Sequence, residues 1–406
     1  MEFTTYTLPN GIRCIHRQTA GVVAHCGLVV GAGTRDELRG EYGLAHLTEH
    51  ALFKGTQRRK AWQVNCRLEN LGGELNAFTT KEDTTLHATV LRGDFQKAVE
   101  LISDVLFHST FPDREIEREK EVIYDEINTY KDAPAELIYD TFEELLFEGS
   151  ELGHNILGSK ASLKGLTGES IRRFTERTYT TDQIVFSSIG SFSARTAEQV
   201  ARRYLGDIAP RTRTYTRTKT GLYTPFEQSI AKRTHQTHCI VGTRAFDLSD
   251  DNRLILSLLI NLLGGPSANS LLNVELREKR GLSYNIEANY TPYSDTGVVA
   301  IYFSSDAANH AACVELIEEQ LHRLASEPLT TRRLSMAKRQ FIAQLAIAGE
   351  NKESYMLSAG KSLLVHDGID TMEELYAKIR SLTSDDLMRV ASESFTNLSR
   401  LTFKER

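Results

Sequence analysis

The chain has 406 residues, 40% of them hydrophobic and 25% charged, with a formal net charge of −6 at pH 7. That length predicts two domains or slightly more, of ordinary globular composition. The charge is too mild to argue for nucleic acid, no basic run is interleaved with aromatics, and no apolar stretch approaches the roughly 18 residues of a membrane span.

At the N-terminus, MEFTTYTLPNGIRCIHR alternates like a strand, turns at Asn10-Gly11 and strands again. Structure is therefore expected from near residue 3, with no signal or transit peptide. GVVAHCGLVVGAG follows as a further strand region. Then comes GLAHLTEHALFKGT, from Gly43 to Thr56. His46 and His50 are spaced i, i+4 and share one face of a helix, with Glu49 beside them. Two neutral imidazoles and a carboxylate able to accept a proton are the equipment of a zinc hydrolase. The rival reading is an amphipathic helix whose histidines are surface or satisfied core residues. Catalytic zinc also takes a third protein ligand, which must come from elsewhere in the chain.

LENLGGELNAFTTKEDTT, Leu68 to Thr85, reads as a hairpin opened by Gly72-Gly73, and TTLHATVLR as a strand. DFQKAVELISDVLFH has a helical period. The acidic helix PDREIEREKEVIYDEINTYKD is predicted to start at Pro112-Asp113, with Asp113 as its N-cap. Its apolar stripe is Ile116, Ile123, Ile127 and Tyr130. Glu119 and Glu126, seven residues apart, share a face close to Ile123, whereas Glu115, Glu117 and Glu121 read as a solvated face. A glutamate bordering a buried stripe is costly unless it has a cation to bind.

RTRTYTRTKTGL, residues 211–222, lacks an apolar period and is the expected linker between domains at 1–210 and 223–406. Beyond it, HCIVGTRAFDLSDDNRLILSLLINLLGG repeats the order of a His-Cys strand, a polar loop and a helix ending at glycine. Leu256 and Ile260 fall where His46 and His50 stand in the first half. The fold class is thus α+β, two related domains that are each a mixed, mostly antiparallel sheet packed with helices. Cys14, Cys26, Cys66, Cys239 and Cys313 are odd in number and widely spaced, without a C-x-x-C pair. They are expected to be reduced and mostly buried, in a cytoplasmic protein.

The H-x-x-E-H pattern of His46, Glu49 and His50 resembles the inverted-motif zinc peptidases that include pitrilysin, insulysin and mitochondrial processing peptidase. In that family a glutamate follows the second histidine by about 76 residues, which here is Glu126, and a second glutamate precedes it by seven, which is Glu119. The flanking GLAH and FKGT, the stretch Leu68 to Thr85, and LREKRGLSY with Arg277 and Tyr284 also look like the family. The resemblance implies one zinc per chain, held by His46, His50 and Glu126, with Glu49 as general base. Glu119 would orient ligands or substrate, and Arg277 and Tyr284 would donate to the tetrahedral oxyanion. Asn76, Ala77 and Phe78 would lie on an edge strand that pairs with an extended peptide, the alternative being a plain hairpin. A chain of this length corresponds to one half of the long family members, so a homodimer enclosing a chamber is expected, cleaving peptides or unfolded segments. The rivals are a non-catalytic scaffold subunit, a subunit dependent on a different partner, and a zinc hydrolase of a non-peptide substrate. The intact metal motif argues against the first, the presence of Arg277 and Tyr284 against the second, and chain length against the third.

Overall fold

The computed structural model describes residues 3–366 and 368–405. In chain order the first half runs β1 (Thr4–Thr7), β2 (Arg13–Gln18), β3 (Val23–Val30), α1 (Leu44–Leu52), α2 (Ala61–Glu69), β4 (Glu74–Thr79) and β5 (Thr84–Leu91). It continues with α3 (Phe95–His108), α4 (Asp113–Lys131), α5 (Pro134–Leu146), α6 (Lys160–Leu163), α7 (Gly168–Thr178), β6 (Ile184–Gly190) and α8 (Ala194–Leu205). The second half runs β7 (Glu227–Lys232), β8 (Thr237–Ala245), α9 (Arg253–Gly264), β9 (Asn285–Pro292), β10 (Gly297–Ser305) and α10 (His310–Ser326). It ends with α11 (Thr331–Gly349), α12 (Lys352–His366), α13 (Met372–Ser381), α14 (Ser384–Ser394) and β11 (Ser399–Glu405).

Two sheets result, in the orders β1-β2-β6-β3-β5-β4 and β7-β11-β8-β10-β9. Leaving β1 aside, strand for strand the orders are the same. Each sheet has one parallel pair, β2 with β6 and β7 with β11, and is otherwise antiparallel. This is the α+β duplication that the sequence repeat predicts. Leu256 and Ile260 on α9 are buried in the core of the second sheet, so that copy of the helix presents apolar groups there.

Both faces of each sheet are covered. On β2, β3 and β6 successive side chains go to opposite sides, with Cys14, Cys26, Leu28 and Phe186 in one core and Ile15 and Val185 in another. Buried on both faces, such strands read as nearly continuous apolar runs rather than clean alternation. The second core of the first sheet is closed by Ala359 and Leu363 of α12. That helix comes very near the sheet: a Cβ at Gly360 would stand 3.0 Å from Val29 Cγ2 and 3.1 Å from Ser187 Oγ. In the second sheet the matching layer is α5, whose Ile138 and Phe142 pack with Ile240, Tyr302, Leu401 and Phe403.

The compact units follow this exchange of helices. One comprises Met1–Ile127, His154–Thr218 and Ile347–Ile369; the other comprises Asn128–Gly153, Lys219–Ala346 and Asp370–Arg406. The expected cut at 211–222 therefore separates the two sheets but not the two units, because α5 and α12 each cover the sheet of the other half. Residues 211–222 have no regular secondary structure, yet they are not loose. Arg217 pairs with Asp36 at 2.7 Å and Glu82 at 3.2 Å, and Tyr215 donates to Asp36 at 2.9 Å. The five cysteines are free, and all but Cys66 are buried.

Candidate metal centre

The helix that carries the histidines is tied down at its start. Gly43 precedes α1 with φ +91°, a left-handed conformation, and a Cβ there would stand 2.8 Å from Leu157 O. The first amides of a helix have no partner within it. Here Glu37 accepts from Ala45 N at 2.7 Å and from Gly43 N at 3.1 Å, and its carboxylate also lies 3.1 Å from His154 Nε2. Burial pushes the Glu37 carboxyl up, while His154 and the two amides hold it down. Leu44, Ala45, Leu47, Thr48, Ala51 and Leu52 fill the buried side of α1. His46, Glu49 and His50 are left on the other side, each partly buried.

The long α4 supplies the opposing carboxylates. Ile116, Ile123 and Ile127 are buried, whereas Tyr130 is 39% exposed and falls outside the stripe. Asp113 is the first residue of the helix rather than its N-cap, and its carboxylate instead accepts from Gly168 N at 2.9 Å. Seven residues make nearly two turns, so Glu119 and Glu126 reach α1 at successive levels. Glu126 lies 3.8 Å from His46 Nε2 and 3.6 Å from His50 Nε2. Glu119 lies one layer behind, with Oε2 3.1 Å from His50 Nδ1 and Oε1 2.7 Å from Lys54 Nζ.

One ligand atom from each of His46, His50 and Glu126 can be chosen so that all lie within 4.8 Å of one another. Ligands placed tetrahedrally 2.0–2.1 Å from a zinc ion stand about 3.3 Å apart. The separations of 3.6 and 3.8 Å are too long for hydrogen bonds and close to that spacing. Burial, helped by the neighbouring His50, lowers the His46 imidazole to about 3, so the ring is neutral, as a ligand must be. The residues present therefore fit a zinc ion. Glu49 Oε2 is buried and has no hydrogen-bond partner among the described residues. Burial pushes its carboxyl up and Glu126 adds to this, against hydrogen bonding to Thr79 and the nearby His50.

The expected substrate strand is β4, the outer edge of the first sheet, and α1 packs against it. Asn76, Ala77 and Phe78 pair with His87, Leu86 and Thr85 of β5. Arg277 and Tyr284 belong to the second unit, on either side of a turn at Gly281 with φ +63°. The Arg277 side chain is 48% exposed, with Nε 3.6 Å from Glu278, and Tyr284 is 73% exposed. Sequence reasoning passed over Glu37, His154, Thr79 and Lys54. Only Lys54 carried a local signal, as a lone cation beside the histidine helix; the others reach the site through tertiary packing.

Comparison with known proteins shows the family. Residues 14–160 match the family model described as insulinase (peptidase family M16), and residues 165–341 match the one described as peptidase M16 inactive domain. The chain is 30% identical to the uncharacterized zinc protease YmxG of Bacillus subtilis (strain 168), over 96% of this chain and 95% of that one. It is 28% identical to the mitochondrial-processing peptidase subunit beta of Dictyostelium discoideum, covering 97% and 86% respectively. The crystal structure of a protease from Helicobacter pylori superposes with a TM-score of 0.92 at 20% identity, over 99% of both chains. With the two family models matching successive stretches of the chain and a relative 30% identical along nearly its whole length, this chain belongs to the insulinase (M16) peptidase family.

Proposed function

We propose that the protein is a zinc-dependent endopeptidase, binding one zinc per chain through His46, His50 and Glu126. The observation that carries this reading is the convergence of those three residues with Glu49 beside them, next to an open sheet edge. Zinc bound there would lower the pKa of a water to about 7 and polarise a peptide carbonyl. Glu49 is the general base that takes the proton and returns it to the leaving amine. Its raised carboxyl suits that exchange. Glu119 orients His50. Arg277 and Tyr284, both exposed, donate to the oxyanion. Asn76, Ala77 and Phe78 receive an extended peptide as an added strand, which favours peptides and unfolded segments over folded proteins.

The working form in this proposal is a homodimer enclosing a chamber, and free buried cysteines fit a reducing compartment such as the cytoplasm. No helix among the described residues is long and apolar enough to cross a membrane. A second reading is a subunit that depends on a different partner, favoured by the relative whose name makes it one subunit of a processing peptidase. Purified protein, assayed alone, separates them. Glu126→Gln should lose most of its zinc, and Glu49→Gln should keep zinc and lose nearly all cleavage of a fluorogenic peptide, because only proton transfer is removed. Zinc-free wild type that still cleaves would overturn the metal assignment, and a zinc-loaded wild type inert by itself would favour the second reading.

A further inference from the structure

The two histidines are not supported alike. His46 Nδ1 is buried and has no hydrogen-bond partner among the described residues. His50 Nδ1 faces Glu119 Oε2 at 3.1 Å, and the other oxygen of that carboxylate is 2.7 Å from Lys54 Nζ. Lys54 stands just beyond α1, where the chain turns back through Gly55 with φ +118°. The turn is fixed by Lys54 N donating to Ala51 O at 3.1 Å and Thr56 N to Arg59 O at 2.8 Å. The lysine therefore leaves a rigid stretch of backbone aimed at a carboxylate that is only 10% exposed.

From this chain of contacts we propose that Lys54 is a positioning residue of the metal centre, acting on His50 through Glu119. The proposal rests on the zinc reading above. A carboxylate has several directions in which to accept, and Glu119 shares its helix face with Glu126, whose negative charge repels it. Lys54 fixes one Glu119 oxygen and so turns the other toward His50. The imidazole is then held as the Nδ1–H tautomer, donating to Glu119, with the Nε2 lone pair presented to the metal beside Glu126. Without the ammonium, Glu119 is free to swing toward solvent and His50 loses the partner that chooses its tautomer. Because His46 has no such partner, the relay through Lys54 is the support that decides how well ordered the ligand pair is before metal arrives.

The test uses Lys54→Met, Lys54→Arg, Glu119→Gln and the double variant Lys54→Met/Glu119→Gln. In metal-free protein, histidine-selective 15N spectra should show His50 as the Nδ1–H tautomer in wild type and Lys54→Arg, and as a tautomer mixture in Lys54→Met. Competition with a fluorescent chelator should show zinc held about 10-fold more weakly by Lys54→Met and nearly normally by Lys54→Arg. The double variant should be no worse than Glu119→Gln alone, since both changes break one relay. An unchanged His50 tautomer in Lys54→Met, or losses in the two single variants that simply add, would overturn the proposal. A wild type that binds no zinc would sink the metal reading instead, and the tautomer spectra would still decide the role of Lys54. A purely structural lysine would shift the melting temperature and leave the tautomer where it was.

Discussion

Burial acts in opposite directions on neighbouring groups of α1. It drives the His46 ring down to about 3 and the Glu49 carboxyl up, in each case by penalising the charged form. The same force acts on His16, which lies away from the metal group, and there its consequence for stability can be read without metal. His16 Nε2 is 3.0 Å from Phe192 O and Nδ1 is 3.0 Å from Ser188 Oγ, so the neutral ring donates through Nε2 and accepts through Nδ1. Its folded pKa is lowered, by burial first. Below about 6.5 the unfolded chain takes up a proton that the folded ring still refuses, so the unfolded state gains and stability falls with pH. The contribution is fully present above about 6.5 and is lost on acidification toward the lower folded value, at no more than about 1.4 kcal/mol per pH unit. Urea unfolding at pH 7, 6 and 5 should show a shallower loss of stability in His16→Asn than in wild type. The slope is the readout, since the variant also loses hydrogen bonds at every pH. Parallel slopes would mean that the folded ring takes up its proton normally.

Among the elements, β4 makes the sharpest commitment. Thr80 N donates to Asp83 O at 2.8 Å where the β4–β5 hairpin closes, and hydrogen-bonded pairs recur every second residue from there. Asn76 and Phe78 thus spend their backbone groups on β5, whereas Leu75 and Ala77 point theirs to the open edge and the Thr79 backbone hydrogen-bonds to Glu49. Ala77→Pro removes one outward N–H and leaves the ladder to β5 intact. It should raise KM for peptides about 10-fold or more while zinc content stays at the wild-type level. A KM that does not move would show that peptide is captured elsewhere. The edge could be foreseen because Gly72-Gly73 and an alternating run mark a hairpin. The choice of Glu126 as the third ligand came from the family resemblance, whereas the shared faces of His46 with His50 and of Glu119 with Glu126 could be foreseen because i, i+4 and i, i+7 spacings fix directions within a helix. The placing of α5 and α12 could not. Their apolar faces show that each must cover something, and nothing local says that each covers the other half's sheet. Glu37 and His154 were hidden for the same reason: they meet α1 only through the folded chain.

At the scale of the whole molecule, the proposed mechanism needs residues of both units. His46, His50 and Glu126 belong to the first unit, while Arg277 and Tyr284 belong to the second and are exposed. We propose that in a homodimer the donors that complete one zinc site come from the partner chain, and this sharing can be measured. His50→Ala and Arg277→Ala should each be nearly inactive alone. Unfolded together in equal amounts and refolded, they should give about half mixed dimers under two-fold pairing. In a mixed dimer one site joins the intact metal ligands of the Arg277→Ala chain to the intact arginine of the His50→Ala chain, and the other site lacks both. About a quarter of wild-type activity should therefore return, a fraction that follows from symmetry alone. If each site is built within one chain, every site in the mixture carries a lesion and nothing returns. Wild type taken through the same refolding sets the scale, so a mixture that stays dead beside an active control would rule out sharing between chains.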